Sequence, residues 1–278
     1  MEQHRFAHAF LGAPAAAVET ALLSYLAPSG GYAHALEPDL RGPAPEPLST
    51  AVALRILTET GRLTNLDSLL CYLSETSTPD GGLPARNPAA GAYPAASAVP
   101  PIPNPTGALQ STAPIAGILH RHRVQHPWLD QATQFCWTAL ESLTDSHPYE
   151  LAAAVEFLDG TPDRSRAHAV SRRLGEQVRD RHLVVLDPDR PDDHPLPSNY
   201  PPGLYHYPYD YAPTPDSVAR SWFTDAELDR ALDFLAHQQE NDGGWRMRFP
   251  EWAPGTRLEW RPILTVNSLL ILRSYSRV

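Results

Sequence analysis

The chain has 278 residues, 42% of them hydrophobic, and a formal charge of −10, which is enough for one large domain with a sizeable core. It contains no lysine, so its 22 Lys/Arg positions are all arginine; this excludes a lysine Schiff base and a phosphate-loop lysine, and an acidic chain without a basic run is a poor partner for nucleic acid or anionic membranes. No apolar run approaches the ~20 residues of a membrane span, and the start MEQHRFAHAF lacks the charged and apolar regions of a secretory signal, so a soluble cytoplasmic protein is expected.

The first predicted element is the apolar helix 15–26, which ends at Pro28-Ser29-Gly30-Gly31-Tyr32. A Pro-rich loop (41–48) leads to a second helix opening at Ser49-Thr50 and running through AVALRIL. The pattern then returns. Helix 66–74 ends at Pro79-Asp80-Gly81-Gly82-Leu83, a long loop (84–105) follows, and Ser111-Thr112 opens APIAGIL. One hairpin is expected to pair 128–143 with 149–158 through a turn at 145–147. Another pairs 163–180 with 217–222 across the loop 186–215. The last pair is 228–239 with 264–275, joined through Glu240-Asn241-Asp242-Gly243-Gly244-Trp245 and opening at Thr265. Cys71 and Cys136 fall inside apolar helical segments and are expected as buried free thiols.

The unit is therefore helix, Gly-Gly-aromatic turn, Pro-rich loop, Ser/Thr start, helix, at a period of about 50 residues, which is the signature of a stacked repeat. Most of the 30 prolines stand in the connections, where they do not interrupt helices. Glycine permits the chain reversal at a helix end, the ring packs across the turn, and Gln238 or Gln239 can bond backbone at the next helix end. An all-α array of about five to six hairpins forming a single domain over 1–278 is expected.

The spacing Leu232, Leu235, Gln238, Gln239, Gly243, Gly244, Trp245 resembles the Gln-Trp motif of squalene-hopene and oxidosqualene cyclases, relatives of the class II diterpene cyclases and protein prenyltransferase β subunits. That resemblance implies an α/α toroid whose inner helices line an apolar cavity, with the long loops gathered at one end. It also implies a terpene-cyclase-like cyclase or isomerase that acts by acid catalysis on a polyene, isoprenoid or natural-product intermediate.

Four places in the sequence can carry chemistry at such a mouth. Asp216 is the only acid at the position equivalent to Ser49, Ser111 and Leu264. It is either the N-cap of its helix or a general acid with a pKa raised by apolar surroundings. The cluster His34, Glu37 and Asp39 on the first loop offers acid/base groups or divalent-cation ligands, against the plainer reading of a solvated loop. In Tyr205-His206-Tyr207-Pro208-Tyr209-Asp210-Tyr211, an extended backbone would put the four tyrosines on one face, as an aromatic wall or as a lid anchored by its rings. Trp252, Glu259, Trp260 and Arg261 lie in the loop before the last helix, where Arg261 either binds an anion or pairs with Glu259.

No D-x-D-D, G-x-S-x-G or H-E-x-x-H occurs. No cofactor or metal is expected, and the partner is a small apolar substrate. Two alternatives remain: a non-catalytic module binding a small apolar ligand or a partner protein, and a glycan lyase or hydrolase using opposed acids such as Asp39 and Glu259.

Overall fold

The structure, a computed structural model, describes residues 1–97, 105–144, 146–193 and 204–278. Parts of both long Pro-rich loops, and Asp145 of the expected turn, lie outside the described residues. The fold is all-α, and among the described residues the only β pairing is three isolated bridges. No helix among them is long and apolar enough to cross a membrane. The chain falls into two compact units, Met1–Leu143 with Gly160–Pro162, and Thr144–Asp159 with Asp163–Val278.

The first unit contains α1 (Glu2–Leu11), α2 (Ala15–Leu22), α3 (Pro47–Glu59), α4 (Leu66–Thr76), α5 (Leu109–Arg121) and α6 (Pro127–Ser142). The second contains α7 (Pro148–Gly160, whose last residue counts with the first unit), α8 (Arg164–Asp180), the single turn α9 (Pro208–Tyr211), α10 (Asp225–His237) and α11 (Thr256–Ser274). Helix α10 shows why these segments are helical. Leu228, Ala231, Leu232 and Leu235 recur at helical spacing and are buried. Thr224 and Glu227 form a reciprocal capping box at its start.

The three Gly-Gly turns share one set of bonds. Ala27, Thr78 and Glu240 each donate their N–H to the carbonyl of Gly31, Gly82 or Gly244 at 2.8, 2.8 and 2.9 Å. Gly30, Gly81 and Gly243 close the reversal with φ of +97°, +87° and +85°, a region that glycine enters without strain. The next residue, Tyr32, Leu83 or Trp245, then donates its N–H to the hydroxyl of Thr50, Thr112 or Thr265 at 3.1, 2.8 and 3.0 Å. Each threonine donates its own O–H to the carbonyl four residues back, on Glu46, Ala108 or Arg261. The threonine thus staples the turn to the following helix by satisfying an amide that the turn would otherwise bury unpaired.

Removing one staple should be measurable. Thr50→Val keeps the shape but strands the buried Tyr32 amide, so it is expected to cost about 1–2 kcal/mol; Thr50→Ser, which retains the hydroxyl, should cost less. Urea unfolding of the two variants side by side tests this, and equal stability of Val and Ser would reject the staple.

Several expectations need correction. Nine consecutive residues of α5, Ser111–Leu119, are buried, which covers every face of a helix. The expected helix at 217–222 is a short 3-10 segment, Val218–Trp222, opened by Ser217 accepting from the Ala219 amide. It docks on α8 because Gly175 leaves room for the Trp222 ring and Ser171 accepts the indole N–H at 2.9 Å. Helix α11 starts eight residues before Leu264: Gly255, at φ +87°, starts the helix and Pro262 is accommodated inside it. Gln239 bonds the Gly243 carbonyl of its own turn instead of a neighbouring helix end. Cys136 is buried, whereas Cys71 lies on the outer side of α4, exposed, with its thiol against the Glu75 carboxylate at 3.4 Å. Both are free thiols.

Candidate functional site

The loop after the first Gly-Gly turn is closed on itself. Tyr32 is pinned by Thr50, Ala33 donates to the Tyr25 carbonyl at 2.9 Å, and His34 donates to Gly42 at 3.0 Å. To make that closure, His34 and Ala35 both take the left-handed conformation, at φ of +58° and +59°. An alanine there is uncommon and costs energy, and such strain gathers at functional sites. A second strand of contact holds the loop from outside. Leu40 bridges Ala95, Arg41 donates to Pro94, and Ala96 donates to the Asp39 carbonyl. Below the loop, the Glu46 carboxylate meets the Arg86 guanidinium at 2.8 Å and the Asn87 amide at 2.7 Å in a buried pair.

Glu37 lies on this loop, flanked in sequence by the buried Leu36 and Pro38. Burial, followed by the neighbouring Asp39 carboxylate, pushes its carboxyl up to about 8, with Arg55 and the Asp39 backbone offsetting only part of the rise. At neutral pH Glu37 therefore keeps its proton. Asp39 is half-buried beside it, while His34 points out to solvent. Of the three residues of this cluster, the structure brings together the two carboxyls and leaves the imidazole outside.

The tyrosine run in the second unit is not extended. Tyr207-Pro208-Tyr209-Asp210 starts α9, with Pro208 at the first helical position and Asp210 accepting the Tyr207 amide at 2.8 Å. Proline first and an acid two residues later is a helix-start pattern that the sequence carried and the period-two reading passed over. As a result Tyr207 and Tyr209 stack at 5.4 Å and join the core made with Leu228, Leu232, Leu235 and Trp245. Tyr211 is buried and donates to the Leu183 carbonyl. His206 is buried edge-on against Tyr149, and burial drives its pKa down to about 3. Tyr205 is only partly buried, against the same core. The rings anchor this segment in the core of the second unit and do not form an open wall.

Sequence reasoning missed two groups here. Burial raises the Asp210 carboxyl to about 6, against the pull of Arg248. Arg248, an exposed residue of the last long loop, lays its guanidinium 5.1 Å above the Tyr207 ring. Nothing local in the sequence marks Arg248, because the contact exists only after the chain folds back.

The remaining candidates are structural or exposed. Asp216 lies exposed in a turn without the apolar surroundings expected of it, and Ser217 performs the capping. Arg261 packs over Gly244 and pairs with Glu240 at 2.8 Å and Asp242 at 2.5 Å, so it clamps the third turn. Glu259, Trp260 and Arg261 belong to α11, not to a loop. Glu259 is exposed, Trp252 is half-buried, and Trp260 meets Phe249 edge-to-face at 5.3 Å. Compared with models of known protein families and with curated protein sequences, the chain matches none.

Proposed function

We propose that the chain is an acid-catalysed isomerase or cyclase of small apolar substrates, in line with the resemblance of its Gln-Trp turn to the terpene-cyclase group, and that Glu37, not Asp216, is the proton donor. The reading rests on one observation: a carboxyl that stays protonated at neutral pH is fixed on a strained loop beside a second carboxylate. A general acid works best with a pKa near the working pH. Glu37 delivers its proton to an alkene or epoxide, and Arg55 supports the carboxylate left behind. Asp39 is the base in reach to take a proton from the resulting cation, so that one proton enters and one leaves, as an isomerisation requires.

A second reading is a binding module without turnover, which needs no titrating group in a cavity; the burial of α5 on every face is compatible with it. Incubation with a set of isoprenoid and polyene substrates, followed by mass spectrometry and retention analysis, separates the two. Conversion lost in Glu37→Gln and kept in Asp216→Asn supports the catalytic reading. Conversion kept in Glu37→Gln rejects Glu37 as the donor, and binding without conversion in the unaltered chain supports the module.

A further inference from the structure

Tyr207 is buried in the core of the second unit, yet the residue lying over its face, Arg248, is exposed. Its guanidinium lies over that ring. Tyr209 stacks on Tyr207 at 5.4 Å and Phe234 packs against Tyr207 at 5.0 Å, so the covered ring belongs to a cluster of three. Asp210 supplies the negative charge, fixed in place by the Tyr207 amide and close enough for Arg248 to draw its titration down. The Tyr209 hydroxyl is buried and lies beside the Arg248 guanidinium, which interacts with it. Ring faces attract cations, most strongly where water is excluded. Aromatic rings, one carboxylate and one hydroxyl gathered at a guanidinium are the parts of an organic-cation site.

We propose that Tyr207, Tyr209, Phe234 and Asp210 form a binding site for the alkylguanidinium group of a small ligand, and that Arg248 occupies it in the free chain as an internal competitor. The class of ligand follows from the occupant, because a guanidinium already fits the rings and the charge. This site lies within the second unit and does not depend on Glu37, so its fate and that of the acid-catalysis reading are separable.

An occupant held by the chain itself lowers the apparent affinity by the fraction of time it stays bound. Titration calorimetry with N-ethylguanidinium should therefore show Arg248→Ala binding at least about tenfold more tightly than the unaltered chain. Neutral N-ethylurea, of the same shape, should bind neither, and Arg248→Ala combined with Asp210→Asn should lose the gain. Equal affinity of Arg248→Ala for the urea and the guanidinium, or no gain over the unaltered chain, would overturn the proposal. A second measurement needs no substitution. The Arg248 Nε–H resonance, shifted by the Tyr207 ring current, should move toward its free position as N-ethylguanidinium is added, and a resonance unmoved at saturating ligand rejects the site.

Discussion

Replacing Trp245 with alanine is expected to remove about 3–5 kcal/mol of stability, the range for emptying a large aromatic from a packed core. The indole is buried among Leu228, Leu232, Leu235 and Leu272, and its ring N–H donates to the Leu235 carbonyl at 2.8 Å in the last turn of α10. Its backbone amide is separately held by Thr265. The ring and the amide thus tie α10 to α11 by two independent bonds. Trp245→Phe keeps most of the volume and the amide bond but loses the indole donor, so it should cost about 1–2 kcal/mol. Urea unfolding of the pair measures the difference, and a Trp245→Ala cost below about 1 kcal/mol would mean that the ring is not holding the helices together.

The second large effect is Glu37→Gln, which should lower turnover by about 10²–10⁴-fold if Glu37 is the acid and at the same time stabilise the fold. The sign follows from proton counts. In the unfolded chain Glu37 titrates near its ordinary 4.5, while in the folded chain it holds its proton up to about 8. Between those values the folded state binds more protons, so stability falls as pH rises through this window and then levels off. Glutamine has no proton to lose and escapes the penalty. Because Glu37 retains some solvent contact, the expected gain is about 1–3 kcal/mol near pH 7–8, vanishing below pH 4. Thermal unfolding at pH 4 and pH 8 measures it. A gain that does not depend on pH would place the effect elsewhere than in the carboxyl. Losing activity while gaining stability is the usual signature of a strained functional group.

The staples were readable in the sequence because glycine pairs and threonines have few other reasons to recur at such spacing, and the structure gives all three turns the same bonds. Helix existence was readable for the same reason, from periodic apolar residues such as Leu228 to Leu235. Boundaries were not. Pro262 reads locally as a helix stop, yet one missing donor does not end α11 once Gly255 has started it. The tyrosine run looked extended because alternation counts side chains and ignores the Pro-Tyr-Asp start signal inside it. For the site, sequence singled out Glu37 and Asp39 as a polar cluster but could not rank them. What raises Glu37 is burial, with the Asp39 carboxylate second, and burial comes only once the loop has closed. Asp216 seemed better placed by register and failed because its turn faces water. Arg248 was illegible altogether, since its meaning comes from a ring about forty residues earlier in the chain.

The two thiols of the first unit form a built-in clock. Cys71 stands on the surface, with Glu75 holding its pKa up, so a maleimide should modify it at a steady, pH-dependent rate set by that carboxylate. Cys136 is sealed in the core and can react only when α6 comes away from its neighbours. With no lysine in the sequence to compete for reagent, the ratio of second to first label, followed over time by intact mass, reports how often this half of the molecule opens, without any engineered probe.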